Sequence, residues 1–357
     1  MADSLPEIVC HGTPEAIGLA HGTIARARIH TSIRNYTRLF QDVAGISWNG
    51  ARSRASTFLC PLQRAVPELV VEMRGIATGA QVDFLDILTL NVRSEIALTT
   101  FSDGCTSIAQ APQDGSGAVF VAQNWDWVGE AAEAMVLLDI RRTGADSKPS
   151  PRIRMLGEAG LVGKFGFNDR GVALCMNAIQ AADLDPQKLP VHVAMRKALE
   201  CSSFKEVLRM LNEQGVASTV NLMVTDVTGS IAAVECSPHG NALIEPDKDG
   251  LVCHTNHLCT TDMLASVKDR PSHNSFSRLA RIQELARGVP PSFEGIRRHL
   301  SDVNGAPTAI CRSAAVNAVG MQRMETLATI IMDVRALKAE VSLGKPNLSP
   351  PIKLLTL

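Results

Sequence analysis

Asp103-Gly104-Cys105-Thr106-Ser107, with Gln123-Asn124-Trp125-Asp126-Trp127 following it, is the stretch on which the reading of this chain turns. A thiol preceded by glycine and followed by hydroxyl residues, just ahead of strand-like sequence, becomes an N-terminal nucleophile if the chain cuts itself between Gly104 and Cys105. A freed Cys105 carries both a sulfur nucleophile and an α-amine with a pKa near ~8, close enough to neutrality to act as its own base. Gly104 is read as the residue that lets the backbone bend into the approach of the thiol on the preceding carbonyl. A buried or surface cysteine in a glycine-containing turn is the commoner origin of any single Gly-Cys pair, so the pentapeptide needs context.

Working outward, the chain has 357 residues, 45% hydrophobic and 20% charged, enough for one large globular domain or two ordinary ones. The 35 basic and 36 acidic side chains give a net charge of -1, which advertises no face for nucleic acid. The nine cysteines, at positions 10, 60, 105, 175, 201, 236, 253, 259 and 311, form no CxxC pair and are read as reduced, intracellular thiols. The start lacks a basic segment followed by an apolar run, and no stretch of eighteen apolar residues occurs. Secretion and a membrane span are therefore not expected. Leu355-Thr356-Leu357 is a poor match to a peroxisomal Ser-Lys-Leu signal, so a cytoplasmic location is the expectation.

The first hundred residues read as mainly helical. Thr13 is placed as an N-cap, with Pro14 at the first position of a helical arm reaching Val43. A second helix is expected from Leu62 to Gly79, and a third from an Asp83 cap to Leu98. The character then changes to short apolar or alternating runs: Ala118 to Ala122, Ala134 to Ile140, Ile153 to Leu156, Val162 to Phe167, Val172 to Met176, Thr219 to Val224 and Ser230 to Cys236. Turns are read at Asn168-Asp169-Arg170-Gly171 and Asp226-Val227-Thr228-Gly229. Helices are expected at Val191 to Leu199, Phe204 to Gln214, Ser275 to Ala286 and Phe293 to Leu300. A strand pair, Thr326 to Val334 and Leu337 to Leu343, precedes a Pro-containing tail. Strands grouped with strands and helices with helices indicate an α+β fold in layers rather than repeating βαβ units.

An N-terminal thiol enzyme needs a nucleophile, a base, donors for a tetrahedral oxyanion and a fixed charge. Cys105 supplies the first two. Asp126 is suited to orient the ammonium, or is simply a turn carboxylate after a strand. Asn256, in His254-Thr255-Asn256-His257, can present its amide as an oxyanion donor. The same segment admits a zinc reading through His254, His257 and Cys259, although its spacing secures no ligand geometry and no His-Glu-x-x-His motif occurs. Arg312 interrupts the run Ala309-Ile310-Cys311-Arg312-Ser313, where a buried charge demands a carboxylate partner and an exposed one makes a surface salt bridge. Asn177, just past a strand, hydrogen-bonds substrate or closes a turn.

Taken together, these blocks resemble one family. The cysteine and Asp126 segments, Glu158-Ala159-Gly160 with Gly163-Lys164, Gly166-Phe167-Asn168 with Gly171-Val172-Ala173, His254-Thr255-Asn256-His257 and Ile310-Cys311-Arg312 are similar to the isopenicillin N acyltransferase family. The opening His11-Gly12-Thr13-Pro14, Ile17-Gly18 and His21-Gly22 is similar as well, so the resemblance spans nearly the whole chain. It implies an αββα sandwich of the N-terminal-nucleophile hydrolase type. It implies self-cleavage at Gly104-Cys105, into an N-terminal chain of residues 1–104 and a C-terminal chain of residues 105–357 that remain together as a heterodimer. Position by position, it assigns the nucleophile to Cys105, the ammonium-orienting carboxylate to Asp126, the oxyanion donor to Asn256 and a stabilising cation to Arg312. Ser107, Trp127 and Asn177 are carried over as substrate-binding positions. The implied chemistry is exchange of the side-chain acyl group of isopenicillin N with acyl-coenzyme A through 6-aminopenicillanic acid, by way of a Cys105 thioester. Acyl-coenzyme A enters as substrate; no cofactor and no metal is required. The rivals are a hydrolase of another N-acyl amide, an unprocessed noncatalytic homologue, and a zinc-binding protein.

Overall fold

The computed structural model describes residues 5–97, 104–143, 150–320 and 323–357; Leu98, the expected end of the third helix, and Asp103 of the expected cleavage motif lie outside them. The chain opens on a strand that the sequence reading missed, β1 (Glu7–Gly12), whose Ile8 and Cys10 face inward while Glu7, Val9 and His11 face out. Thr13 caps α1 (Pro14–Ile24) as expected, its hydroxyl accepting from Ala16 N. The single arm expected to Val43 is two helices, because the chain turns at Ala25 before α2 (Arg26–Ala44). After an unforeseen α3 (Trp48–Ser56), the second expected helix is also split. Pro67 has no N–H to give the preceding turn, so α4 (Leu59–Ala65) stops and α5 (Pro67–Ala80) starts at the proline. Asp83 and Asp86 form a reciprocal capping box on α6 (Phe84–Asn91), and α7 (Arg93–Ala97) follows.

The remainder is β2 (Gly104–Gln110), β3 (Phe120–Val128), β4 (Met135–Arg142), β5 (Ile153–Glu158), β6 (Phe165–Asn168), β7 (Ala173–Ala178), α8 (Val191–Leu199), α9 (Phe204–Gln214), β8 (Val220–Thr225), β9 (Ile231–Ser237), β10 (Gly240–Ile244), β11 (Leu251–His254), α10 (Thr261–Ser266), α11 (His273–Ala286), α12 (Phe293–Leu300), β12 (Met324–Asp333), β13 (Lys338–Leu343) and β14 (Ile352–Thr356). An eight-stranded sheet runs β1-β4-β5-β6-β7-β8-β9-β10, and a six-stranded sheet runs β11-β2-β3-β12-β13-β14. All neighbours are antiparallel except β1 and β4. The sheets face each other through β2 and β3 against β7 and β8, α8 packs behind the larger sheet, and α11 and α12 pack behind the smaller. The layering is α, β, β, α, as the α+β expectation requires. One large apolar core fills the space between the sheets and under the N-terminal helices, and a second lies beneath α11 and α12. Among the described residues no helix is long and apolar enough to cross a membrane.

Helices α1 and α5 meet along a glycine seam. A Cβ on Gly18 would lie 2.0 Å from Glu72 O and one on Gly22 2.2 Å from Ile76 O; those on Gly75 and Gly79 would come within 2.6 Å of Glu15 O and Leu19 O. Backbone against backbone leaves no room for any side chain, which explains the glycines of Ile17-Gly18 and His21-Gly22. His21, buried here, is held neutral with its pKa lowered to about 4 by desolvation first, and its Nε2 accepts from Gly160 N at 3.1 Å.

Buried polar contacts join the first 97 residues to those beyond Cys105. Arg196 pairs with both oxygens of Glu72 at 2.9 Å. Glu158 accepts from Tyr36 at 2.6 Å, Arg93 at 2.7 Å and Lys164 at 2.6 Å. Burial pushes the Glu158 carboxyl up, but the charges of Arg93 and Lys164 outweigh it and hold the pKa at about 2.

Candidate active site

The strand β2 begins at Gly104 and sits between β11 and β3, so the thiol lies at the head of a central strand. Alternation along β2 sends successive side chains to opposite faces. Ser107 reaches the larger sheet, donating to Asn177 Oδ1 on β7 at 2.6 Å, whereas Thr106 reaches α11, its hydroxyl 3.0 Å from Arg278 Nη1. Cys105 shares the face of Ser107 and is completely buried.

Register places Gly104 opposite Asp126 and Cys105 opposite Trp125. Asp126 therefore stands on the α11 side of the sheet, beside Gly104 and on the face opposite the thiol. The glycine is required for space. A Cβ there would lie 2.8 Å from Arg312 Nη1, 2.9 Å from Asp126 Cβ and 3.0 Å from Asp126 Oδ2.

Asp126 is wholly buried. Its Oδ1 accepts from the Thr326 hydroxyl at 2.6 Å, and among the described residues no donor reaches Oδ2. Desolvation raises its pKa to about 6, against the opposing pull of the Arg278 charge, the Thr326 hydroxyl and the Arg312 charge. Arg312 is half-buried; its backbone N donates to Thr326 Oγ1 at 2.9 Å, which ties its position to the hydroxyl that serves Asp126.

Asn256 follows β11. Its Oδ1 accepts from Cys105 N at 2.9 Å and from Arg278 Nη2 at 2.8 Å, while its Nδ2 donates to Ala178 O at 2.9 Å. Two donors on one side and a carbonyl on the other fix which end of the amide is oxygen. One Nδ2 hydrogen remains beyond the Ala178 bond. Asn177 lies on β7, accepts from Ser107 and from Asn221 Nδ2 at 2.9 Å, and is fully enclosed between the sheets. Trp127 is buried, with its ring stacked on Trp125 at 6.2 Å between centroids. The structure thus gathers Cys105, Asp126, Asn256 and Arg312 around the Gly104-Cys105 bond, and sets Ser107 with Asn177 in one network two residues along the strand.

Arg278 is the residue against the Gly104-Cys105 bond that the sequence reading missed. Its Nη1 donates to Cys105 O at 2.6 Å and Nη2 to Asn256 Oδ1, so one guanidinium holds the Cys105 carbonyl and the amide beside it. Asn274 Oδ1 accepts from the same group at 3.2 Å. A signal existed: along α11 the inward residues are Ser275, Arg278, Ile282 and Ala286, so an arginine occupies a position that helical spacing assigns to the core.

The zinc trio of the sequence reading is not assembled: His257, whose Nδ1 lies 2.7 Å from Ser275 Oγ, does not converge with His254 and Cys259. The donors that converge among the described residues are Glu235, His254 and Cys259, with ligand atoms within 4.8 Å of one another. There the carboxylate is already engaged on both oxygens by hydrogen bonds from residues 254, 259 and 260.

The family described as Acyl-coenzyme A:6-aminopenicillanic acid acyl-transferase matches residues 113–348. A protein of Emericella nidulans named acyl-coenzyme A:6-aminopenicillanic-acid-acyltransferase 40 kDa form is 31% identical over 347 residues, covering 95% of this chain and 93% of that protein. Penicillin V acylase from Agrobacterium tumefaciens superposes with a TM-score of 0.51 at 15% identity, over 71% of this chain and 86% of that one. A variant of conjugated bile acid hydrolase from Clostridium perfringens gives 0.47 at 13% identity, over 71% and 97%. The fold is that of the N-terminal-nucleophile hydrolases.

Proposed function

The chain belongs to the acyl-coenzyme A:6-aminopenicillanic acid acyl-transferase family, and we propose that it is a proenzyme that cuts its own Gly104-Cys105 bond and then works as an N-terminal cysteine acyltransferase. The observation that carries this reading is the environment of that single bond: the Cys105 amide on Asn256 Oδ1, the Cys105 carbonyl on Arg278, and a buried Asp126 carboxylate with an unoccupied oxygen beside Gly104.

In processing, the Cys105 thiol adds to the Gly104 carbonyl and the C–N bond breaks, which leaves a thioester and a new α-amine. Water then hydrolyses the thioester, freeing residues 1–104 and the thiol. A buried acceptor left without a donor is costly, and an ammonium formed beside Gly104 is a group that would satisfy it. In turnover, the α-amine takes the thiol proton and the thiolate attacks the carbonyl of an N-acyl amide or of an acyl-coenzyme A. The remaining Nδ2 hydrogen of Asn256 is the donor for the tetrahedral oxyanion. Collapse expels the amine or the coenzyme A thiol, which takes the proton, and leaves the acyl group on Cys105. Capture of that thioester by 6-aminopenicillanic acid completes transfer; capture by water gives hydrolysis. The contacts of Glu72, Tyr36 and Arg93 across the cleavage point support two chains that stay together.

Intact-mass spectrometry under denaturing conditions on the wild type and on Cys105→Ala tests the first step. Two wild-type fragments meeting at Gly104-Cys105, with the variant whole, are expected, followed by acyl transfer from acyl-coenzyme A to 6-aminopenicillanic acid. A single intact wild-type chain that no acyl donor labels at Cys105 overturns the reading.

A further inference from the structure

The segment that presents Asn256 is gripped by one carboxylate from the opposite sheet. Glu235 lies on β9, fully buried, while Asn256 belongs to the loop after β11. Glu235 Oε1 accepts from His254 Nε2 at 2.9 Å and from Cys259 N at 2.6 Å; Oε2 accepts from Thr260 N at 3.1 Å and Thr260 Oγ1 at 2.6 Å. These four bonds bracket Asn256 on both sides in sequence. A carboxylate with all four acceptor directions in use fixes a loop far better than a single bond.

The His254 ring strengthens the grip. Its Nδ1 is 2.9 Å from Thr255 O and its Nε2 faces Glu235, so both ring nitrogens point at acceptors and both carry protons. Burial opposes a charged ring, but interaction with Cys259 and Glu235 outweighs it and the pKa of His254 rises to about 9. The charge pair is sealed from water, with both partners wholly buried.

We infer that Glu235, acting through His254 and the backbone of residues 259 and 260, is a positioning residue that holds Asn256 in register with Cys105 for oxyanion stabilisation. The inference rests on the reading that Asn256 serves the oxyanion. Glu235 touches neither Cys105 nor any reacting atom; its effect is felt as the placement of one amide. A donor displaced by about 1 Å costs on the order of 100-fold in rate.

The test is a double-mutant cycle on the processed enzyme, with acyl transfer as readout. Glu235→Gln retains the shape but aims an NH2 group at donors, and is expected to lower kcat ~10–100-fold while KM stays within about 3-fold, since the oxyanion forms only in the transition state. In an Asn256→Ala background the same substitution is expected to cost less than about 3-fold, because the group it positions is gone. Equal loss in both backgrounds, or a wild-type kcat in Glu235→Gln, overturns the inference. Should Glu235→Gln fail to fold, Thr260→Val removes one bond to Oε2 and is read in the same cycle, with a smaller kcat loss that Asn256→Ala again abolishes. A wild-type protein that neither cuts itself nor transfers acyl groups defeats the underlying reading instead, and is distinguished by that result.

Discussion

Replacing Gly104 by alanine in an uncleavable Cys105→Ala background isolates what the glycine does for the folded chain from what it does for chemistry. The new methyl would lie 2.9 Å from Asp126 Cβ, 3.0 Å from Oδ2 and 2.8 Å from Arg312 Nη1, where ordinary contacts are about 3.5–4.0 Å. Arg312 is a flexible end and can swing away. Asp126 cannot retreat so easily: its strand is hydrogen-bonded on both sides, to β2 and to β12, and Oδ1 is held by Thr326. Overpacking of this kind costs about 1–3 kcal/mol. Alanine recovers about 0.4–1 kcal/mol by restricting the unfolded chain, so the net loss centres on about 1.3 kcal/mol. For a chain of 357 residues, with an unfolding entropy of about 0.75 kcal/mol per degree, that is a fall in Tm of about 1.7 °C. Calorimetry of the two proteins measures it. With Cys105 restored, the displaced carboxylate is expected to slow self-cleavage by about 10-fold or more, followed by the appearance of the C-terminal fragment on gels. A double variant that melts with its parent, or cleavage at the wild-type rate, refutes the argument that Gly104 is there for space.

Three further outcomes follow from the same geometry. Arg278→Met removes charge-assisted bonds to Cys105 O and Asn256 Oδ1, each worth about 1.5–3 kcal/mol; processing should slow at least ~10-fold, and its pH midpoint should rise because the Arg278 charge holds the Asp126 pKa down. Asp126, at about 6 when folded and near ~3.9 when unfolded, binds its proton more tightly in the native state. Its contribution to stability is fully present below the unfolded pKa and is lost as pH rises through about 6. Asp126→Asn should flatten the stability–pH curve across that window, and an unchanged slope would show that another group titrates there. Glu72→Gln leaves Arg196 buried without its bidentate partner but still paired with Glu200, and chemical denaturation should report a loss of up to about 3 kcal/mol, against almost none for exposed Glu294→Gln.

Around the site, β7, β12 and the first part of β3 were legible as short apolar runs, whereas β2 and β11 were not named as strands, and the caps at Thr13 and Asp83 announced their helices chemically. What escaped has physical causes. Strand β10 is largely exposed and carries no alternation, and β14 follows Pro350-Pro351 and draws its hydrogen bonds from β13, which no local pattern can reveal. The break between α4 and α5 was written in Pro67, but the apolar spacing runs through it. Cys105, Asp126, Asn256 and Arg312 were given their expected roles through family likeness; composition and spacing alone left each with an ordinary structural alternative. Arg278 and Glu235 were hidden because their meaning lies in partners 173 and 19 residues distant. A charged residue at a core-facing helical position was the one available clue.

Strand β1 has a consequence for the fate of the protein in a crowded cell. It forms the outer edge of the larger sheet and, among the described residues, is its only parallel member, zipped from Glu7 to Gly12 along Leu137 to Arg142 of β4. Were residues 1–104 to depart after scission, β4 would be left as a bare edge whose Met135-Val136-Leu137-Leu138 is wholly apolar, a template for pairing with any neighbouring chain. The first segment is thus a permanent edge guard. Its loss would turn a paired strand into an aggregation-prone edge.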